Sequence, residues 1–199
     1  MALKRLLDHF GIARCVVVGH SLGTLMAARF AALFPDQVAA LCLISPSLGG
    51  GIEKGAPLPP AVARRVEDLD RLGPEQFAAS RSPLLLANPA DRPDVLQAVA
   101  RAMATVRRPG YDQAARMLAG GRILEDAARF VVPTAVMVGR EDRITPPANA
   151  RRVFDTIGAD TPHRLFEIAD AGHAVCQEQP AEIAQAISIT IDSKATVHA

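Results

Sequence analysis

CVVVGHSLGT, residues 15–24, decides how the rest of the chain is read. Three consecutive valines predict a strand buried on both faces. The run stops at Gly19-His20-Ser21-Leu22-Gly23 and passes directly into 22–34, a stretch rich in Ala, Leu and Met that favours a helix until Pro35 stops it. A sharp strand-to-helix turn lifts a serine clear of the backbone, where a carbonyl could approach it, but it strains the serine's backbone and crowds the residues two before and two after. Glycine has no Cβ and relieves that crowding at both places. An ordinary helix N-cap would also put a serine here, but it leaves both glycines unexplained. A G-x-S-x-G alone arises by chance in about one chain of this length in fifteen, so the strand before it and the helix after it carry the weight.

Outward from this turn the chain alternates. Leu3, Leu6, Leu7 and Phe10 recur at helical spacing and Gly11 follows as a cap. Strands are expected at 15–18, 38–44 and 134–138, with a weaker one at 164–168; helices are expected at 147–157 and 180–191. Strand-helix-strand order implies an α/β fold, a mostly parallel sheet flanked by helices. Residues 46–130 hold no clear strand: a Gly49-Gly50-Gly51 loop and several prolines lead into helical stretches at 61–72, 74–79, 93–106 and 111–119. This is too long for a plain connection and too helical for a linker. It reads as a helical cap inserted into a core made of 1–45 and 131–199.

Composition narrows the classes. The 199 residues suit one domain with a sizeable core, 49% of them are hydrophobic, and the net charge of +1 comes from scattered Lys and Arg. Neither a nucleic-acid-binding nor a membrane-binding surface is indicated. Cys15, Cys42 and Cys176 form no C-x-x-C pair and are expected as reduced thiols. The N-terminal segment carries charges among its leucines, unlike a signal peptide, and no run approaches the ~20 apolar residues of a membrane span, so a cytoplasmic location is expected. The histidines are far apart and show no metal-ligand spacing, and no phosphate-binding glycine motif is present; neither metal nor cofactor is expected.

A serine nucleophile needs a base and an orienting carboxylate. His173 follows the fourth strand and Asp142 follows the third, so both fall on the sheet edge that carries Ser21. Glu141 competes with Asp142, and the G-x-x-D position favours Asp142. His9 and His198 lie near the termini, and His163 precedes a strand on the opposite edge. His20, beside the serine, is expected to help line the substrate pocket.

On Gly19-His20-Ser21-Leu22-Gly23, Gly139-Arg140-Glu141-Asp142 with Pro146, and Gly172-His173, the sequence resembles the α/β-hydrolase family, in its helically capped branch, over essentially its whole length. Its segment 6–24 is similar to the helix-to-elbow region of meta-cleavage-product hydrolases, enol-lactonases and carboxylesterases. The resemblance implies a Ser21-His173-Asp142 triad with the Leu22 N–H as an oxyanion donor. The substrate would be a small ester, lactone or vinylogous diketone, with a cap arginine, Arg81, holding a substrate carboxylate. The alternative is a non-catalytic binding protein on the same fold.

The family's sheet has further strands ahead of the elbow, and a His-Gly loop there supplies a second oxyanion N–H. This sequence starts in the helix before the elbow strand and contains no His-Gly. Residues 1–199 are therefore expected to match the C-terminal portion of the fold, with Met1 a misplaced start or a truncation. Strand 15–18 would then be an edge with exposed valines, and the chain alone poorly stable or self-associating through that edge. An intact native mass of 21.1 kDa with full activity would contradict this.

Overall fold

The structure, a computed structural model, describes residues 2–192; His198 lies outside them. Helix α1 (Ala2–His9) ends at Gly11, whose φ of 63° supplies the left-handed turn into strand β1 (Cys15–His20). Helix α2 (Leu22–Leu33) and a 3-10 turn (Pro35–Gln37) lead to β2 (Val38–Ile44). The insertion follows. It comprises α3 (Pro60–Arg81), a 3-10 turn (Ser82–Leu85), α4 (Pro93–Met103), α5 (Gly110–Gly120) and the short α6 (Ile123–Ala127). The chain returns through β3 (Thr134–Gly139), α7 (Pro147–Thr156), β4 (His163–Ile168), the one-turn α8 (Val175–Glu178) and α9 (Pro180–Asp192).

The four strands form one parallel sheet in the order β1-β2-β3-β4. Both faces of its centre are buried, which is why the central strands read as continuous apolar runs. Leu41, Leu43, Val136 and Val138 face the cluster beneath α2, α6 and α7, whereas Cys42, Ile44, Ala135 and Met137 face α8 and α9. All three cysteines are free, and burial pushes the Cys42 thiol up to about 11.

β1 differs from the reading of a strand buried on both faces. It pairs with β2 alone among the described residues, and α9 lies over β2, β3 and β4. Val17 is buried beneath α2, while Val18, on the opposite face, is 48% exposed. The segment between β2 and β3 also contributes to the core. Its last part rejoins the core early, with Ile123, Ala127 and Phe130 buried in the cluster under α2. Within α3 the expected break between 72 and 74 is present: Gly73 takes φ 74° and ψ 165°, and Pro74 starts the second piece. No helix among the described residues is long and apolar enough to cross a membrane.

Candidate active site

Parallel strands bring their C-terminal ends to one edge, and the backbone is strained there. Among the described residues, the three non-glycine residues with positive φ, Ser21 (52°), Ser45 (48°) and Asp170 (53°), each follow the end of a strand. Ser21, at φ 52° and ψ −117°, has the geometry of a turn position normally given to glycine. The close approach that the turn requires falls on Gly19. A Cβ there would lie 2.6 Å from the Gly23 carbonyl oxygen and 2.9 Å from Ala27 Cβ. A Cβ on Gly23 would meet nothing within 4 Å, so the second glycine is not needed for space. Thr24 fastens the turn by donating its hydroxyl to the Ser21 carbonyl and accepting the Ser47 N–H.

The structure brings Ser21, Asp142 and His173 together. Ser21 Oγ lies 2.8 Å from His173 Nε2, and His173 Nδ1 lies 2.9 Å from Asp142 Oδ2. Asp142 and His173 are both buried. With its Nδ1–H donated to Asp142, the imidazole presents Nε2 as an acceptor for the serine hydroxyl. The Asp142 carboxylate is saturated: Oδ1 accepts the Ile144 and Thr145 N–H groups at 2.8 Å each, and Oδ2 accepts the Thr145 hydroxyl at 2.9 Å beside the imidazole. Burial pushes this carboxyl up, but the bond and charge of His173 and the Thr145 N–H outweigh it and hold the carboxyl below its ordinary value. Glu141, the competing acid, accepts the Ala171 N–H instead and so ties the two loops together.

Thr145 was missed by the sequence reading. Its hydroxyl is also 3.1 Å from His173 Nδ1 and from the Ser45 carbonyl oxygen, at the junction of the three loops. A loop aspartate commonly accepts the N–H of residues two and three further on, which marks the turn at Asp142; the contacts of the Thr145 hydroxyl come from packing between loops and leave no local signature.

Two other expected residues make contacts of a different kind. His20, expected in the substrate pocket, lines neither cavity at the serine. Strand alternation sends its side chain to the face of Val16 and Val18, where Nε2 lies 2.8 Å from the His173 carbonyl oxygen. His20 thus braces the loop of His173. Arg81, expected to meet substrate, also lines neither cavity; its guanidinium lies over the Phe77 ring, 5.4 Å from the centroid. A cation that does border the serine is Arg65. It lines both a cavity of about 350 Å³, shared by Ser21, Ser47, Thr145 and Asn149, and an adjoining one of about 170 Å³, shared by Ser21, Leu22 and Tyr111. Arg65 projects from the first part of α3 and Arg81 from the second, beyond the break at Gly73; the two charges still act on each other and on Tyr111. Among the described residues no carboxylate pairs with Arg65, and no group of three His, Cys, Asp or Glu is placed to hold a metal.

Burial pushes the His20 imidazole below its ordinary value, outweighing the His173 carbonyl and the Asp142 charge. The unfolded chain therefore takes up this proton first as pH falls through about 6.5. The stabilisation from neutral His20 is present above that value and lost below it. Stability should fall between pH 7 and pH 5, and His20→Gln should remove up to about 1.4 kcal/mol per pH unit of that slope. Urea unfolding across this range measures it; an unchanged slope in the variant refutes it.

The chain is similar to known proteins over most of its length. The profile of the serine aminopeptidase S33 family matches residues 2–180. Lipase LipV from Mycobacterium tuberculosis is 31% identical over 195 residues, 94% of this chain and 72% of that protein. The dihydrolipoyllysine-residue acetyltransferase component of the acetoin cleaving system from Pseudomonas putida is 28% identical over 187 residues, and there the chain spans 46% of the relative's length. Among solved structures, a thermophilic esterase from Thermogutta terrifontis superposes with a TM-score of 0.80 at 27% identity, over 96% of this chain and 70% of that one.

Proposed function

Because this chain belongs to the α/β-hydrolase family, and is a hydrolase within it, we propose that it cleaves a small carboxylic ester or a related lactone or vinylogous diketone by way of Ser21. The observation that carries this reading is the continuous relay from Ser21 Oγ through His173 to Asp142, at 2.8 and 2.9 Å.

Ser21 Oγ attacks the substrate carbonyl carbon while His173 Nε2 takes the hydroxyl proton. The new C–O bond places negative charge on the carbonyl oxygen. Leu22 opens α2, so its N–H is among the donors that a helix leaves without an intrahelical partner, and it stabilises that oxyanion. His173 then passes its proton to the leaving alkoxide, giving an acyl-serine. Water, deprotonated by His173, releases the acid and regenerates Ser21. Asp142, ionised by its four hydrogen bonds, holds the imidazole in the tautomer that each step requires.

The two cavities meet at Ser21 and offer one space to the acyl group and another to the leaving group. Arg65 borders both, which favours substrates that carry a carboxylate. Arg65→Ala should raise KM about tenfold for an anionic ester and leave KM for a neutral ester within twofold. An equal change for both substrates would remove Arg65 from this role. The reading as a whole is tested with a fluorophosphonate, followed by peptide mass spectrometry. The adduct is expected on Ser21 of the folded protein. A folded sample that takes up no label would point to the binding-protein alternative. A panel of nitrophenyl esters, lactones and ring-fission products then separates the bond types.

A further inference from the structure

The loop that carries His173 is held to the insertion by a buried carboxylate. Glu178, the last residue of α8, is 2% exposed. Its Oε2 accepts the Gly172 N–H at 2.7 Å, next to His173, and its Oε1 accepts the Ala87 N–H at 2.8 Å, in the insertion between the 3-10 turn and α4. Among the described residues no cationic side chain pairs with this carboxylate; Arg92 donates to the Glu178 backbone carbonyl instead. A buried carboxylate whose two oxygens are given to two backbone N–H groups from different parts of the chain is a bridge between them.

Two further contacts lie at the same place. The Ala174 N–H donates to the Leu85 carbonyl at 2.8 Å. Gly172 packs so closely that a Cβ there would lie 2.7 Å from Leu85 O, Leu86 C and Ala87 N. Leu86 is fully buried against Ala174 and Val99 of α4. Residues 85–87 of the insertion therefore rest directly on the residues either side of His173.

We propose that Glu178 is a positioning residue that clamps the His173 loop to segment 85–87, so that the base reaches Ser21 only while the insertion is seated. This rests on the reading of His173 as the base of Ser21. Glu178 touches neither the serine nor the cavities; it acts through Gly172 and Ala87. A carboxylate suits the task because it offers acceptors on both arms. A glutamine of the same volume offers one acceptor arm and one donor arm, and so turns one N–H of the bridge against another.

The test compares Glu178→Gln and Ala87→Pro with the parent, using a neutral nitrophenyl ester and the rate of fluorophosphonate labelling. Both rates are normalised to the folded fraction. Proline at 87 removes the N–H that Glu178 accepts and sets its ring Cδ toward Oε1, so it opens the bridge from the insertion side with Glu178 and His173 both retained, and Leu86, at ψ 152°, already has the extended backbone that proline requires before it. The expected result is a fall in kcat of about ten- to a hundredfold in both variants, with KM within twofold and labelling slowed in parallel, as a displaced base predicts. A purely structural role would lower the melting temperature and leave kcat per folded molecule unchanged, which overturns the proposal. If Glu178→Gln does not fold, Ala87→Pro decides in the same terms. A parent that neither hydrolyses nor labels sinks the reading of the site and the clamp with it; an active parent with unaffected variants sinks the clamp alone.

Discussion

Ser21→Ala should lower kcat by about five to six orders of magnitude and abolish labelling by a fluorophosphonate. On the proposed mechanism the effect is large because the Ser21 hydroxyl is the group that forms the covalent bond. Protein stability should change little. The Ser21 side chain is only half-buried, and its one polar side-chain contact is with His173 Nε2. Alanine inherits the strained φ of 52° without adding to it. Substitutions of this kind away from packing usually stay within about 0.5 kcal/mol. Melting curves should therefore overlay while activity disappears. Hydrolysis in the variant above a hundredth of the parent rate would mean that another group attacks the substrate.

The second large effect is expected for Asp142→Asn, a fall in kcat of about 10⁴-fold with modest change in KM, the size seen when the orienting carboxylate of such a relay is neutralised elsewhere. The cause can be read from the hydrogen bonds. The asparagine oxygen will be claimed by the Ile144 and Thr145 N–H groups, which now bond Oδ1. Its NH₂ then faces His173 Nδ1, which must become an acceptor. The ring proton moves to Nε2, the nitrogen that should receive the serine proton, and the base is blocked. Rates measured from pH 5 to 9 should be depressed throughout. The native carboxyl is held below its ordinary value of 3.8 and is ionised over that whole range. The same shift has a sign for stability. The unfolded chain protonates Asp142 first, so its contribution is complete above about pH 5 and is lost as pH falls through the depressed folded value. A variant that recovers parent activity at any neutral pH would contradict the tautomer argument.

The strands were legible because their cause is local: apolar runs bounded by Gly and Pro, such as Val38–Ile44 and Thr134–Gly139. Four short helical pieces among the described residues, Pro35–Gln37, Ser82–Leu85, Ile123–Ala127 and Val175–Glu178, were not, because a single turn carries too few residues for a period to show. The candidate site was legible in its three polar residues for a topological reason. Once the strands are parallel, any residue just past a strand end lies on the same edge, whatever its distance in sequence. Gly23 marks the limit of that reading: the motif includes it, but the space around it is open.

What the sequence by itself determined is the order of strands and helices, the elbow at Ser21 and the common edge to which Ser21, Asp142 and His173 belong. Each follows from backbone preference and burial along short stretches of chain. Only the tertiary structure decided that Arg65 rather than Arg81 borders the serine, that His20 turns toward the His173 carbonyl, that Thr145 joins three loops and that Glu178 bridges Gly172 to Ala87. Those outcomes depend on which segments, tens of residues apart, come to rest against one another. A side chain's partner across such a contact is set by the packing of whole elements, and no local pattern of residue types encodes it.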